Sequence, residues 1–240
     1  MQKSVSKYLA IASVLATISV ANAEKSGAFV GLEAGVSIFN LASQTSDLKD
    51  SKFGIGGSYG VIAGYKQFFT PYLGLRYYAN LNYAHGSATT PTIDAGGNNI
   101  FTATSSVNAY HQNYLLNYGV NVDFLANFVS KEIESFGSFD FGGFVGVGLG
   151  GNTYLSDLTL VSQSFDGSDS KSLSPQETTK FNVALNVGLR ANMAENHGVE
   201  LVARVPFIKA KMIDDTNFDG VPLTITRTYY TVSLRYTYSF

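Results

Sequence analysis

The chain closes on YYTVSLRYTYSF, residues 229–240, a stretch without Gly or Pro. Successive side chains of an extended chain point to opposite faces. One face of this stretch therefore carries Tyr230, Val232, Leu234, Tyr236, Tyr238 and Phe240, and the other Thr231, Ser233, Arg235, Thr237 and Ser239. The first set is apolar and aromatic and the second is polar, so the segment reads as a strand between an apolar medium and a wet one.

Composition fits a chain made of such strands. Gly (24 residues), Tyr (15) and Phe (17) are abundant, which favours strands and turns over a helical bundle. With no Cys, neither disulfides nor thiolate metal sites are available. A formal net charge of −2 without a basic run argues against nucleic acid as a partner.

The N-terminus predicts export. Lys3 and Lys7 form a basic region, Tyr8 to Val20 an apolar one, and Ala21-Asn22-Ala23 an A-x-A cleavage site, the pattern of a secretory signal peptide over residues 1–23. The apolar stretch falls short of the roughly 20 residues of a spanning helix. The mature domain is expected to run from Glu24 to Phe240.

Seven further segments repeat the two-faced pattern. Ala28, Val30, Leu32, Ala34, Val36 and Ile38 oppose Gly31, Glu33, Gly35 and Ser37. Ile55, Tyr59, Val61, Ala63 and Tyr65 oppose Gly56, Ser58, Gly60, Gly64 and Lys66. Leu73 to Tyr83 oppose Gly74, Arg76, Tyr78, Asn80 and Asn82. Tyr114 to Phe124 oppose Asn117, Gly119, Asn121 and Asp123. Phe139, Phe141, Val145, Val147 and Leu149 oppose Asp140, Gly142, Gly146, Gly148 and Gly150. Phe181 to Met193 oppose Asn182, Asn186, Gly188, Arg190 and Asn192, and a weaker seventh segment sets Val199 to Phe207 against Glu200 and Arg204. With the terminal strand these make eight.

Links alternate in length. Short ones are expected near 67–71, 127–137 and 194–198, and long polar ones near 40–53, 85–110, 151–178 and 209–226. Short periplasmic turns alternating with long extracellular loops, on an even number of strands, specify an antiparallel up-and-down transmembrane β-barrel. Its closed sheet leaves no backbone edge in lipid. A soluble β-sandwich also alternates, but it does not call for Gly and Asn so regularly on the face away from the apolar one. Aromatic placement agrees with the barrel. Tyr65, Phe124, Phe139, Phe141, Tyr238 and Phe240 fall at the periplasmic end of the apolar face, and Tyr83, Tyr114, Phe181 and Tyr230 at the other, as two interfacial girdles.

The signal sequence, the eight-strand plan and an ending with Leu234, Arg235, Tyr236, Tyr238 and Phe240 resemble the Helicobacter outer membrane protein family of the Hop/Hor type, most clearly over residues 180–240. The resemblance implies a cell outer membrane location, contact with lipid and lipopolysaccharide, and a C-terminal strand ending at Phe240 that the outer-membrane insertion machinery reads. Larger relatives of this kind include adhesins and porins.

Eight strands enclose only enough room for side chains. The expected role is therefore structural or a surface interaction at the extracellular loops, adhesin-like, with a narrow porin as the alternative. No enzyme activity, catalytic residue, cofactor or metal ligand is expected. GVGLGG (Gly146, Gly148, Gly151) matches a dinucleotide fingerprint but precedes no helical pattern. In DTNFDG (Asp215, Asn217, Asp219, Gly220), the position that would close a calcium loop is Thr226. His85 and Ser87 have the spacing of outer-membrane lipid A deacylases without an identifiable acid, and His111 and His197 read as loop or strand-end residues. Pro206 lies inside the seventh strand, where its missing N–H demands a bulge or a strand end. The inward ionisable groups are Glu33, Lys66, Arg76, Asp123, Asp140, Arg190, Glu200, Arg204 and Arg235. Counting along each strand places all but Glu33 in the periplasmic half, so charges of opposite sign on neighbouring strands are expected to pair and close the lumen.

Overall fold

The structure, a computed structural model, describes residues 24–44, 49–89, 93–95, 99–101, 110–133, 137–155, 160–163, 170–173, 178–218 and 221–240. The expected signal peptide lies outside the described residues. The strands are β1 (Gly27–Gln44), β2 (Lys49–Phe68), β3 (Leu73–Thr89), β4 (Ile93–Ala95), β5 (Asn99–Phe101), β6 (Tyr110–Ile133), β7 (Gly137–Tyr154), β8 (Leu160–Gln163), β9 (Ser170–Leu173), β10 (Thr179–Met193), β11 (His197–Pro206), β12 (Ala210–Phe218) and β13 (Val221–Ser239).

Strands β1, β2, β3, β6, β7, β10, β11 and β13 pair in that order, and β13 pairs back with β1. Every pairing is antiparallel, so the sheet is a closed eight-stranded up-and-down barrel. Starting from Gly27 and stepping across each neighbour leads through Lys66, Arg76, Asp123, Gly146, Asn186, Arg204 and Thr231 back to β1 at Ser37, ten residues (37 − 27) from the start. A stagger of this kind accompanies strands tilted by roughly 35–45° to the barrel axis.

The burial pattern is that of a soluble protein turned inside out. On β13, Thr231, Ser233, Arg235, Thr237 and Ser239 are buried, whereas Val232, Leu234, Tyr236, Tyr238 and Phe240 are exposed. The same alternation holds on β1 from Ala28 to Val36 and on β10 from Phe181 to Met193. The exposed wall is the lipid-facing band, and its rings form the expected girdles. Tyr65 stacks on Tyr77 at 5.8 Å near the periplasmic end, and Tyr83 stacks on Tyr114 at 6.4 Å near the other.

Strand lengths depart from the sequence expectation. Crossing the hydrocarbon takes about 9–11 tilted residues, yet β1 has 18, β6 24 and β13 19. Much of what read as loops at 40–53 and 209–226 is strand, because β1 runs to Gln44, β2 starts at Lys49, and β12 pairs with the upper part of β13. The link expected at 127–137 is shorter, since β6 continues through a bulge near Asn127 to Ile133. The long links at 85–110 and 151–178 carry the small hairpins β4–β5 and β8–β9. The apolar outer face ends where lipid ends, but ladder hydrogen bonds form equally well above the membrane. A reading keyed to that face therefore stops too early.

Pro206 is the last residue of β11, opposite Ala184, and the following Phe207 N–H donates to Val183 O at 2.7 Å. The seventh strand is thus two pieces, β11 and β12, joined across Phe207–Lys209. This satisfies the requirement that the proline's missing donor fall at a strand end.

Close approach decides the inward glycines of β7. An added Cβ on Gly150 would sit 1.9 Å from Tyr118 O and 2.6 Å from the Gly119 Cα, both backbone atoms that cannot rotate away. Gly150→Ala is expected to destabilise the barrel by about 1–3 kcal/mol, read as a lower temperature for the gel-mobility change from folded to unfolded protein. An unchanged midpoint would contradict the close β6–β7 packing.

Candidate functional site

The lumen is the candidate site. Its buried charged residues are Glu24, Glu33, Asp123, Asp140 and Glu200 against Lys66, Arg76, Arg190, Arg204, Arg227 and Arg235. Glu200 stands at the centre. It pairs with Arg76, accepts from Arg235 Nη1 at 3.1 Å and lies 4.0 Å from Arg190 Nε. Arg76 also donates to Asp123 Oδ2, with Nη2 at 2.7 Å and Nε at 3.2 Å. Arg235 donates to Glu33 Oε2 from Nε at 2.9 Å, and Asn82 donates to Glu33 Oε1. Toward the periplasm, Arg190 and Lys66 converge on Glu24 at 2.5 and 2.7 Å.

The guanidinium planes are also covered by rings. Arg76 lies 4.7 Å from the Phe144 ring centre and 5.2 Å from that of Tyr78. Arg235 lies 5.2 Å from Tyr78, and Arg190 5.5 Å from Phe68. Weakly hydrated, planar guanidinium suits such dry stacked positions better than ammonium. Ion pairs here satisfy charges already removed from water, so they stabilise the barrel chiefly by not being broken.

An amide layer follows. Arg204 donates to the side-chain oxygens of Asn117 at 2.6 Å, Asn186 at 3.1 Å and Asn121 at 3.1 Å. Asn80 bridges Asn117 and Asn121, each at 2.8 Å, and Asn117 donates to Asn152 at 2.7 Å. Above it lies an apolar cap of Phe39, Leu41, Leu115, Tyr154, Met212, Ile213, Leu223, Ile225 and Tyr229 with Ala84 and Ala210. Strand ends that extend above the membrane supply much of it. On the rim outside the membrane, Asp214 accepts from Lys211 Nζ at 3.0 Å and Thr224 Oγ1 at 2.9 Å. The Lys211 bond, followed by that of Thr224, holds its carboxyl below the ordinary aspartate value.

Three sequence expectations change. Glu33 does not stand apart in the outer half: it is the direct ladder partner of Arg235, which in turn faces Glu200 on β11. Counting residues from each turn ignores the ten-residue stagger, which brings these positions together. Pairing is also incomplete, since Arg204 rests on amides and Asp140 Oδ1 has no hydrogen-bond partner among the described residues. Glu24 was missed as a lumen residue, because it precedes β1 and alternation says nothing about it. Arg227 was missed as well, because β13 begins at Val221, ahead of the stretch that alternates from residue 229.

The other motifs lie elsewhere. Gly146, Gly148 and Gly151 are all on β7. His85 is on the outer wall, its ring 6.1 Å from that of Tyr59 and 6.3 Å from that of Tyr83, with exposed Ser87 beside it. His197 Nδ1 lies 2.6 Å from the Tyr236 hydroxyl at the periplasmic girdle. The side chain of His111 and those from Thr216 to Gly220 lie outside the described residues, so the calcium-like stretch is represented only by Asp215.

A closed lipid-facing barrel with a filled lumen is matched by sequence. The profile of the family described as Helicobacter outer membrane protein covers residues 60–240. The chain belongs to this family. Like its family, it is an outer-membrane β-barrel protein, and its apolar wall meets the lipid of that membrane. Three solved barrels are similar to this Helicobacter-type chain. Neisserial surface protein A shares 15% identity over 90% of this chain and 100% of its own, with a TM-score of 0.41. OprG from Pseudomonas aeruginosa shares 11% over 91% and 99%, with 0.45. The attachment invasion locus protein Ail of Yersinia pestis shares 13% over 86% and 99%, with 0.29. No curated protein sequence matches the chain.

Proposed function

We propose that this outer-membrane barrel is closed to solutes and acts at the cell surface, through its extracellular extension, as a structural or adhesin-like interaction protein. The observation that carries this reading is the succession of fillings along the lumen: an ion-pair cluster around Glu200, an amide layer around Arg204 and an apolar cap around Leu115 and Ile225. A hydrated ion would have to displace paired charges and then cross a packed, mostly apolar layer in which the Arg227 guanidinium is itself buried 5.7 Å from the Tyr154 ring centre. The extracellular links point the same way. Residues 90–109 and 156–177 are rich in Ser, Thr, Asn, Gly and Asp, a composition suited to surface contact rather than to a core. The hairpins they carry lie side by side, β5 against β8.

Planar-bilayer recording of the refolded protein tests the closed lumen, and little or no steady conductance is expected. A stable, ion-conducting channel would replace this reading with the narrow porin. The surface role is tested by replacing residues 90–109 and 156–177 with tight turns. The barrel should still fold, and bacterial attachment to epithelial monolayers should fall. Unchanged attachment would remove the loops from the proposal.

A further inference from the structure

The group that completes the periplasmic end of the lumen is not on a strand. Glu24 precedes β1, yet it is only 5% exposed. Its Oε1 accepts from Lys66 Nζ at 2.7 Å, Arg190 Nη2 at 2.5 Å and Asn192 Nδ2. Its Oε2 accepts from Arg190 Nη1 at 2.8 Å and Asn127 Nδ2 at 3.5 Å. The donors come from three strands, β2, β6 and β10. A guanidinium presented with two N–H groups, an ammonium and two amides converging on one carboxylate is the chemistry of a specific anion site.

The residues that follow hold this carboxylate across the mouth. Lys25 pairs with Glu195 in the β10–β11 turn, with both side chains largely in water. Ser26 Oγ accepts the Phe68 N–H at the end of β2 at 2.9 Å. An exposed ion pair contributes little, and Ser26 adds a single hydrogen bond. The buried Glu24 carboxylate is therefore the principal anchor of the strap.

We propose that Lys66, Arg190, Asn127 and Asn192 form a carboxylate-binding site at the periplasmic mouth, and that Glu24 occupies it as a tethered ligand. Displacing the strap opens the site to small free carboxylates from the periplasm. The amide layer and apolar cap stand at other levels of the barrel, so this site is independent of whether the whole lumen is sealed.

The test uses the mature chain, residues 24–240, as wild type and as Glu24→Ala, each refolded in detergent with sodium acetate, sodium phosphate or sodium chloride at matched ionic strength. Acetate is expected to raise the unfolding midpoint of Glu24→Ala, more than phosphate or chloride does, and to leave wild type unmoved because its site is filled. Should Glu24→Ala fold only when acetate is present, the same conclusion follows. Failure to fold in every salt, an equal response to all three, or an unshifted midpoint in acetate would overturn the proposal; in the last case Asp140 would be the group taking over the cations. A control with Lys66→Met added to Glu24→Ala should lose the acetate response, and its persistence would place the bound anion elsewhere. A conducting wild type would end the closed-lumen reading and leave this acetate assay equally decisive.

Discussion

Arg235→Met is expected to produce one of the two largest losses of stability or assembly considered for this barrel, about 3–5 kcal/mol, the usual consequence of leaving buried carboxylates without their cation. Arg235 is 1% exposed and holds two acids at once, Glu33 at 2.8 Å and Glu200 at 3.1 Å, across the β1–β13–β11 seam. The two acids are not equivalent. Glu200 keeps Arg76 and Arg190 nearby, so the group stranded most severely is Glu33, left with the Asn82 amide. Adding Glu33→Gln to Arg235→Met removes that charge while retaining an oxygen for Asn82, and the double variant should recover much of the loss. Unfolding midpoints of the wild type, both single variants and the double variant form a cycle that isolates the coupling. The double variant is expected to stay closed in planar bilayers, since the amide layer around Arg204 and the cap around Leu115 and Ile225 remain in place. A single variant as stable as wild type would contradict the central role of the Glu200 cluster. A conducting wild type unaffected by these changes would contradict the closed lumen.

Deleting Phe240 is expected to deplete the folded outer-membrane pool and increase periplasmic degradation. The side chain is 72% exposed on the lipid face and meets Tyr238 edge-on at 5.3 Å. Returning such a ring to water costs only about 1.5–3 kcal/mol, too little to abolish assembly of so large a closed sheet. Its backbone adds one hydrogen bond, the Phe240 N–H donating to Ala28 O at 2.9 Å, next to the β1–β13 pairing that closes the barrel, worth about 0.5–1.5 kcal/mol. A C-terminal strand read by the insertion machinery predicts a kinetic defect larger than the thermodynamic one. Pulse-chase measurement of insertion separates the two. Normal insertion kinetics with a merely lowered midpoint would reduce Phe240 to a packing residue.

The local pattern was sufficient for the wall and insufficient for the contents. Tyr236 and Arg235 are assigned to opposite faces by period alone, and the structure places them there, because a closed barrel in lipid makes every strand solve the same two-sided problem. Leu115 and Leu125 were harder. Each is fully buried on the inward side of β6, although an apolar residue there resembles a flaw in a polar face until the neighbouring strands bring Tyr154 or Phe144 against it.

Alternation, terminal aromatics and the sequence profile of the chain determined an outer-membrane barrel of eight strands and, over the stretches that alternate, the side of the wall on which a residue lies, with nine of the inward charges from Glu33 to Arg235. The reason is that side-chain direction on a strand depends only on parity. Which inward groups meet was decided by the tertiary structure. The ten-residue stagger brings Glu33, Arg235 and Glu200 together, and chain closure folds Glu24 back onto Lys66 and Arg190, contacts separated by up to 202 residues. Parity contains no information about height along the barrel axis, and height is what determines ion-pair partners in a narrow lumen.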